Sequence, residues 1–167
     1  MSSIFPVFCT AELPIATIEK LLSDSLEGAK KMAPSEPSLA VVTKADNMSH
    51  TTASTPPFQP FDSPFIGQSV KEISRQFPQA HHFAVLDERS LGEKTVVLVE
   101  LSSPDNVQTV RVTFGSAQSV LLALNLATLG FKDIQSIAAS NGGVYDLISG
   151  SPKKGQSAPR KRLGADS

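Results

Sequence analysis

Between Thr95 and Leu101 the chain reads TVVLVEL, with Val96, Val97, Leu98 and Val99 in unbroken succession. Side chains alternate across a strand, so four apolar residues in a row leave no face for water. Such a strand must be covered on both sides, which makes this segment the predicted centre of a sheet. The next segment has the opposite character. Val110, Val112 and Phe114 alternate with Thr109, Arg111 and Thr113, the period of a strand with one wet face. The turn-rich SSPDN link between the two suits an antiparallel hairpin.

The remaining elements follow from periodicity. Ile4–Thr10 reads as a first strand, and Pro6 within it predicts a sheet edge or a late entry into the sheet. Pro14 opens a helix whose apolar positions are Ile15, Ile18, Leu21, Leu22, Leu26 and Ala29, with Gly28 as a candidate early stop. Leu39–Thr43 is short and strand-like. Ser69 and Glu72 stand at capping-box spacing in a short helix that carries Ile66, Val70, Ile73 and Phe77 on one face and stops at Pro78. His82–Leu86 is a further strand. Ser116–Leu129 is apolar almost all round, with Gln118, Asn125 and Thr128 as a narrow polar stripe, so it predicts a helix that is buried or paired and ends at Gly130. Phe131, Ile134, Ile137 and Ala138 mark another helix, Asn141-Gly142-Gly143 a left-handed stop, and Val144–Ile148 a last extended segment. The order β-α-β-α-β-β-β-α-α-β suits a single α/β domain with a mixed sheet, helices packed on it, and right-handed early crossovers.

Residues 44–64 hold four prolines, repeated Ser and Thr and few aliphatic residues, which predicts a mobile insertion. Phe58, Phe61 and Phe65 are expected to pin its distal half to the body, with a short docking motif as the alternative. The domain is expected over 1–148, with 149–167 as a disordered basic tail. Residues 1–148 carry ten Lys and Arg against fifteen Asp and Glu, a balance of −5, while 149–167 carry five against one, a balance of +4. An acidic body is a poor phosphate-tracking surface, so nucleic-acid binding is expected only through the tail. There Lys153, Lys154, Arg160, Lys161 and Arg162 resemble a compact import or phosphate-binding tract, with solvated disorder as the plainer reading.

One cysteine, Cys9, excludes an internal disulfide framework and a cysteine-rich zinc module, and favours a reducing, cytoplasmic setting. The first ten residues lack the shape of a secretory signal, and the longest apolar stretch, Val120–Leu124, is far below the roughly twenty residues that span a bilayer. No membrane association is expected.

Residues 82–148 resemble a small family of bacterial and fungal proteins known only as a domain of unknown function, number six-nine-two-four. The likeness rests on Phe83–Leu91 (FAVLDERSL), Thr95–Leu101, Val110-Arg111-Val112, Ser119-Val120, Phe131 and Gly143-Val144-Tyr145. The early strand and helix fit more loosely. Thr128-Leu129-Gly130 and Leu121-Leu122-Ala123 depart from the family, which tends to place polar residues there. The resemblance implies a fold and carries no activity with it.

Asp87-Glu88-Arg89-Ser90 follows a strand, where open α/β sheets place ligand-binding groups, and with Arg111 it forms the best candidate site. The plainer alternative makes Asp87 a cap and pairs Arg89 with a nearby carboxylate. His81 and His82 point to opposite faces of a strand and, with His50 far away, do not suggest a zinc site. Cys9, between Phe8 and Thr10, reads as a small buried residue. The chain has no GxSxG elbow, Walker loop or dinucleotide glycine pattern. No catalytic residue, metal or cofactor is therefore expected. The leading expectation is a non-enzymatic binding or protein-interaction module, with self-association through the apolar helix as one form. The alternatives are a ligand-binding or enzymatic accessory of small-molecule biosynthesis, and a nucleic-acid binder acting through the tail.

Overall fold

In the computed structural model the described residues are 4–43, 53–103 and 106–146. They form β1 (Phe5–Cys9), α1 (Ile15–Met32), β2 (Leu39–Val41), α2 (Val70–Gln76), β3 (His82–Leu86), α3 (Glu88–Glu93), β4 (Thr95–Ser103), β5 (Asn106–Thr113), a 3-10 turn (Phe114–Ser116), α4 (Ala117–Asn125), α5 (Phe131–Ser140) and β6 (Val144–Tyr145). The six strands make one mixed sheet in the order β2-β1-β3-β4-β5-β6. β1 runs parallel to β2 and β3, β4 is antiparallel to β3 and β5, and β6 is parallel to β5.

The valine-rich segment is central, as its pattern requires. Val96 and Leu98 face the larger cluster, built with Ile18 and Leu21 of α1, Val120 and Leu121 of α4, and Phe131 and Ile134 of α5. Val99 faces the other cluster, where α2 contributes Ile73 and the rest is largely aromatic. There Phe8 sits amid Phe65, Phe77 and Phe83, with ring centroids 4.9, 4.9 and 5.2 Å away. The contacts with Phe65 and Phe83 are edge-on, which suits the ring quadrupole, positive edge against negative face, and that with Phe77 is tilted at 46°. The layers are therefore helix, sheet and helix, with the second helical layer reduced to α2 and its phenylalanines.

Several sequence expectations are corrected by packing. β1 is not an edge strand, but it joins β3 late, the other reading that Pro6 allowed. Phe5 donates its N–H to Ser38 on the β2 side, and pairing with β3 begins only at Val7, so Pro6 lies ahead of the β3 ladder, where its missing donor leaves no gap. Gly28 does not end α1, which continues to Met32; a Cβ there would lie 1.9 Å from the Gly115 carbonyl oxygen. The glycine permits the helix to touch the turn before α4. α4 itself stops at Asn125, because Ala127 turns left-handed at φ 59°, and Gly130 caps α5 instead. Its far end is consequently bare, with Leu126 69% exposed, whereas Gln118 from the predicted polar stripe is buried. The Gln118 amide donates to the Glu36 carbonyl at 2.8 Å and accepts from Ser38 N–H at 3.0 Å, joining α4 to the connector after α1. Phe114 leaves β5 for the 3-10 turn.

The distal half of the predicted insertion is pinned to the body, as its phenylalanines allow. Residues 44–52 lie outside the described residues, but 53–64 are tied to the body at both ends. Ser54 N–H donates to the Leu39 carbonyl at 2.8 Å and its Oγ accepts from Val41 N–H at 2.9 Å, which covers the outer edge of β2. Phe58 and Phe61 meet edge-on at 5.6 Å and pack against the α1 side of the sheet. Phe65 is buried on the opposite side. The connector thus crosses from one face to the other past the carboxyl end of β1, where Ser63 Oγ donates to the Cys9 carbonyl at 2.6 Å and Gly67 N–H to the Thr10 carbonyl at 2.9 Å. The α2 capping box forms as expected, with Glu72 N–H on Ser69 Oγ at 3.1 Å and Ser69 N–H on Glu72 Oε1 at 2.7 Å.

Replacing a helical glycine by alanine ordinarily stabilises by about 0.5–1 kcal/mol. Gly28→Ala is expected to do the reverse, by about 1–3 kcal/mol, since α1 must move off the Phe114–Ser116 turn to admit the methyl group. A lower urea midpoint checks this. A raised midpoint would mean the close approach does not exist.

Candidate functional site

The sheet's strand order determines where a site can form. β1 and β3 are neighbours, and the connection leaving β1 runs through α1 to β2 on one side while that leaving β3 runs through α3 to β4 on the other. Connections leaving neighbouring strands in opposite directions open a crevice beyond their carboxyl ends. Here that crevice lies past Cys9 and Leu86, walled by the β1–α1 loop, the Phe61–Gln68 stretch and the start of α3. Three adjoining depressions, of about 430, 410 and 430 Å³, make up one open groove. Gly67 shapes its middle wall, turning at φ 80°, a conformation that side chains with a Cβ rarely adopt.

Apolar side chains line much of the groove. Leu13, Ile15 and Phe61 are partly buried against the core, while Ile66 and Leu91 are 43% and 45% exposed. Carboxylates stand among them: Glu12, Asp62 and Glu88. Cys9 lies at the floor with its thiol pushed up to about 12 by burial, which leaves it protonated and a poor nucleophile at neutral pH.

The three residues singled out from sequence are divided by the structure. Asp87 and Arg111 meet. Arg111 Nη1 donates to Asp87 Oδ1 at 3.2 Å and to Thr95 Oγ1 at 2.9 Å, and Nη2 donates to Asp87 Oδ2. Ser90 completes the arrangement: its hydroxyl accepts from Asp87 N–H at 3.0 Å and donates to Asp87 Oδ1 at 3.2 Å. Burial of the Asp87 carboxylate pushes its pKa upward, but the hydrogen bonds and charge of Arg111, with help from Ser90, outweigh this and hold it below its ordinary value of 3.8. Arg89 turns away. Its guanidinium pairs with Glu93 through two bonds of 2.9 Å on the exposed side of α3. The Asp87–Ser90 stretch begins a six-residue helix, whose first turn Asp87 and Ser90 cap reciprocally.

The histidines are spent separately: His82 Nε2 lies 3.0 Å from Glu100 Oε2, and His81 Nδ1 lies 3.3 Å from the Leu101 carbonyl. His50 and the five basic residues Lys153, Lys154, Arg160, Lys161 and Arg162 lie outside the described residues. Among the described residues no three His, Cys, Asp or Glu side chains are grouped to hold a metal ion, and no helix is long and apolar enough to cross a membrane. Sequence reasoning did not pick out Glu12, Leu13, Asp62 or Leu91, and it placed Ile66 on the buried face of α2, whereas α2 begins at Val70 and Ile66 stands exposed at the groove. For Glu12 and Leu13 the available signal was their position after a strand, applied to the third strand but not to the first.

Asp87→Asn removes the charge that compensates Arg111, whose side chain is only 10% exposed. A loss of about 1–3 kcal/mol is expected at pH 7. The folded-state pKa of Asp87 is depressed, so its contribution is present above the unfolded value and declines as pH falls through the folded one. Urea unfolding of wild type and Asp87→Asn at pH 6 and pH 3 checks this, with a difference in stability that narrows on acidification. A difference independent of pH would show that the ion pair does not supply it. Arg89→Ala is expected to leave the midpoint unchanged.

The sequence likeness noted over residues 82–148 extends further upstream. The family described as Domain of unknown function (DUF6924) matches residues 32–147, from the last residue of α1 onward, which includes every strand except β1. No curated protein and no solved structure matches the chain. The match spans more than half the sequence and takes in β3, the Asp87–Arg111 pair and the distal wall of the groove, and the chain belongs to the DUF6924 family.

Proposed function

We propose that this chain is a non-enzymatic binding module that takes a peptide segment, carrying an apolar side chain beside a cationic one, into the groove beyond β1 and β3. The observation that supports this is the pairing of exposed Ile66 and Leu91 with Glu12, Asp62 and Glu88 in one open furrow. Covering apolar surface contributes about 25 cal/mol per Å², and a carboxylate rim selects the sign of what sits beside it. Open furrows suit extended segments.

The ionisable groups nearby support binding over chemistry. Asp87 and Arg111 are engaged with each other, Arg89 with Glu93, and the Cys9 thiol is held protonated. None is poised to give or take a proton near neutrality. A small enzyme or ligand carrier with a pocket at Asp87, Arg89 and Arg111 has less support, since Arg89 and Arg111 face different carboxylates. Self-association through α4 retains only the exposed Leu126 end of that helix.

An array of synthetic twelve-residue peptides probed with the purified protein tests the reading. Peptides joining Leu, Phe or Met to Lys or Arg are expected to be retained, and an Ile66→Asp, Glu88→Lys double variant should lose them by tenfold or more while unfolding at the wild-type midpoint. Retention that ignores both substitutions, or retention of acidic peptides only, would sink the proposal.

A further inference from the structure

The direction of the last strand has a bearing on what fills the groove. β5 is antiparallel to β4, β4 to β3, and β6 is parallel to β5, so β6 runs parallel to β3 and β1. The chain therefore leaves Tyr145 on the same end of the sheet as Cys9 and Leu86, the end at which the groove opens. With strands about 4.8 Å apart, β6 stands roughly 14 Å from β3 and roughly 19 Å from β1 along the sheet. Lys153 follows Asp146 by seven residues, a reach of about 23 Å when extended. Arg160, Lys161 and Arg162 have more than enough chain.

Charge gives the direction. Residues 149–167 carry a balance of +4. Glu12, Asp62 and Glu88, at the groove, make no ion pair among the described residues. We infer that the basic segment Lys153–Arg162 docks within the same molecule on the carboxylate rim of the groove and competes there with the peptide partner. This inference rests on the reading of the groove as a peptide site. A linked segment acts at an effective concentration on the order of 1 mM, so even an intrinsic Kd of about 100 µM would leave the groove filled by its own chain roughly ten to one. A partner would then need to outbid it, and neutralising the basic residues would open the site.

Two measurements on the full chain test this. Trypsin should cut at Lys153–Arg162 several-fold faster in a Glu12→Gln, Glu88→Gln variant than in wild type at low salt, with the difference lost in about 0.5 M salt as the charges are screened. Circular dichroism confirms that the variant is folded. Equal cleavage rates would overturn the inference, and so would protection in wild type that grows with protein concentration, since that means docking between molecules. In the second measurement, a fluorescein-labelled peptide of residues 149–167 should bind a chain carrying K153Q, K154Q, R160Q, K161Q and R162Q about tenfold more tightly than wild type. Equal affinity would also overturn it. If the arrayed peptides still occupy the groove in that case, the peptide-site reading survives and only the docking of the chain's own segment falls; if they do not, both fall.

Discussion

The structure depends on covering the middle of the sheet on both faces with unequal resources. The face that carries Val96 and Leu98 has α1, α4 and α5 to close it. Among the described residues the opposite face has the seven-residue α2, and a ring cluster around Phe8 supplies the remaining volume. Each phenylalanine buried there contributes about 1.5–3 kcal/mol of transfer free energy. Phe65 has to reach this cluster from the β2–α2 connector, which has just packed Phe58 and Phe61 on the other face. That requirement sends the connector past the end of β1 and builds the groove wall. The candidate site is a by-product of closing the core.

The Asp87–Arg111 pair belongs to the same economy of space. Arg111 sits opposite Val97 of β4, on the face with the thin helical layer, where a long side chain has room to extend toward the β3–α3 junction. There its stem replaces apolar cover and its head meets a carboxylate held by Ser90 and a Thr95 hydroxyl. The pair links three strands' worth of sequence at one point. It explains why a charged residue is tolerated mid-strand without implying reactivity.

Much of the fold was legible in the residues. The uninterrupted Val96–Val99 run, the alternation around Arg111, the capping pair Ser69 and Glu72 and the Asn141-Gly142-Gly143 stop each carry a local physical rule, and each marks an element of the kind it predicts. The errors have a common cause. Gly28 and Gln118 were judged by what neighbours along the chain would make of them, whereas their partners are Gly115 and Glu36. The helix at Glu88–Glu93 was missed because six residues with little apolar content show no period.

By itself, then, the amino-acid sequence determined the class of fold, the central strand, the lack of any familiar catalytic motif and the opposed charges of body and tail, because periodicity, composition and spacing are properties of neighbouring residues. Only the tertiary structure decided that β1 stands between β2 and β3, that Arg111 faces Asp87 while Arg89 faces Glu93, and that Glu12, Ile66 and Glu88 share one groove. Those are matters of strand order and of which face the chain crosses to. They are set by competition among distant apolar surfaces for the same buried volume, a quantity that no local window contains.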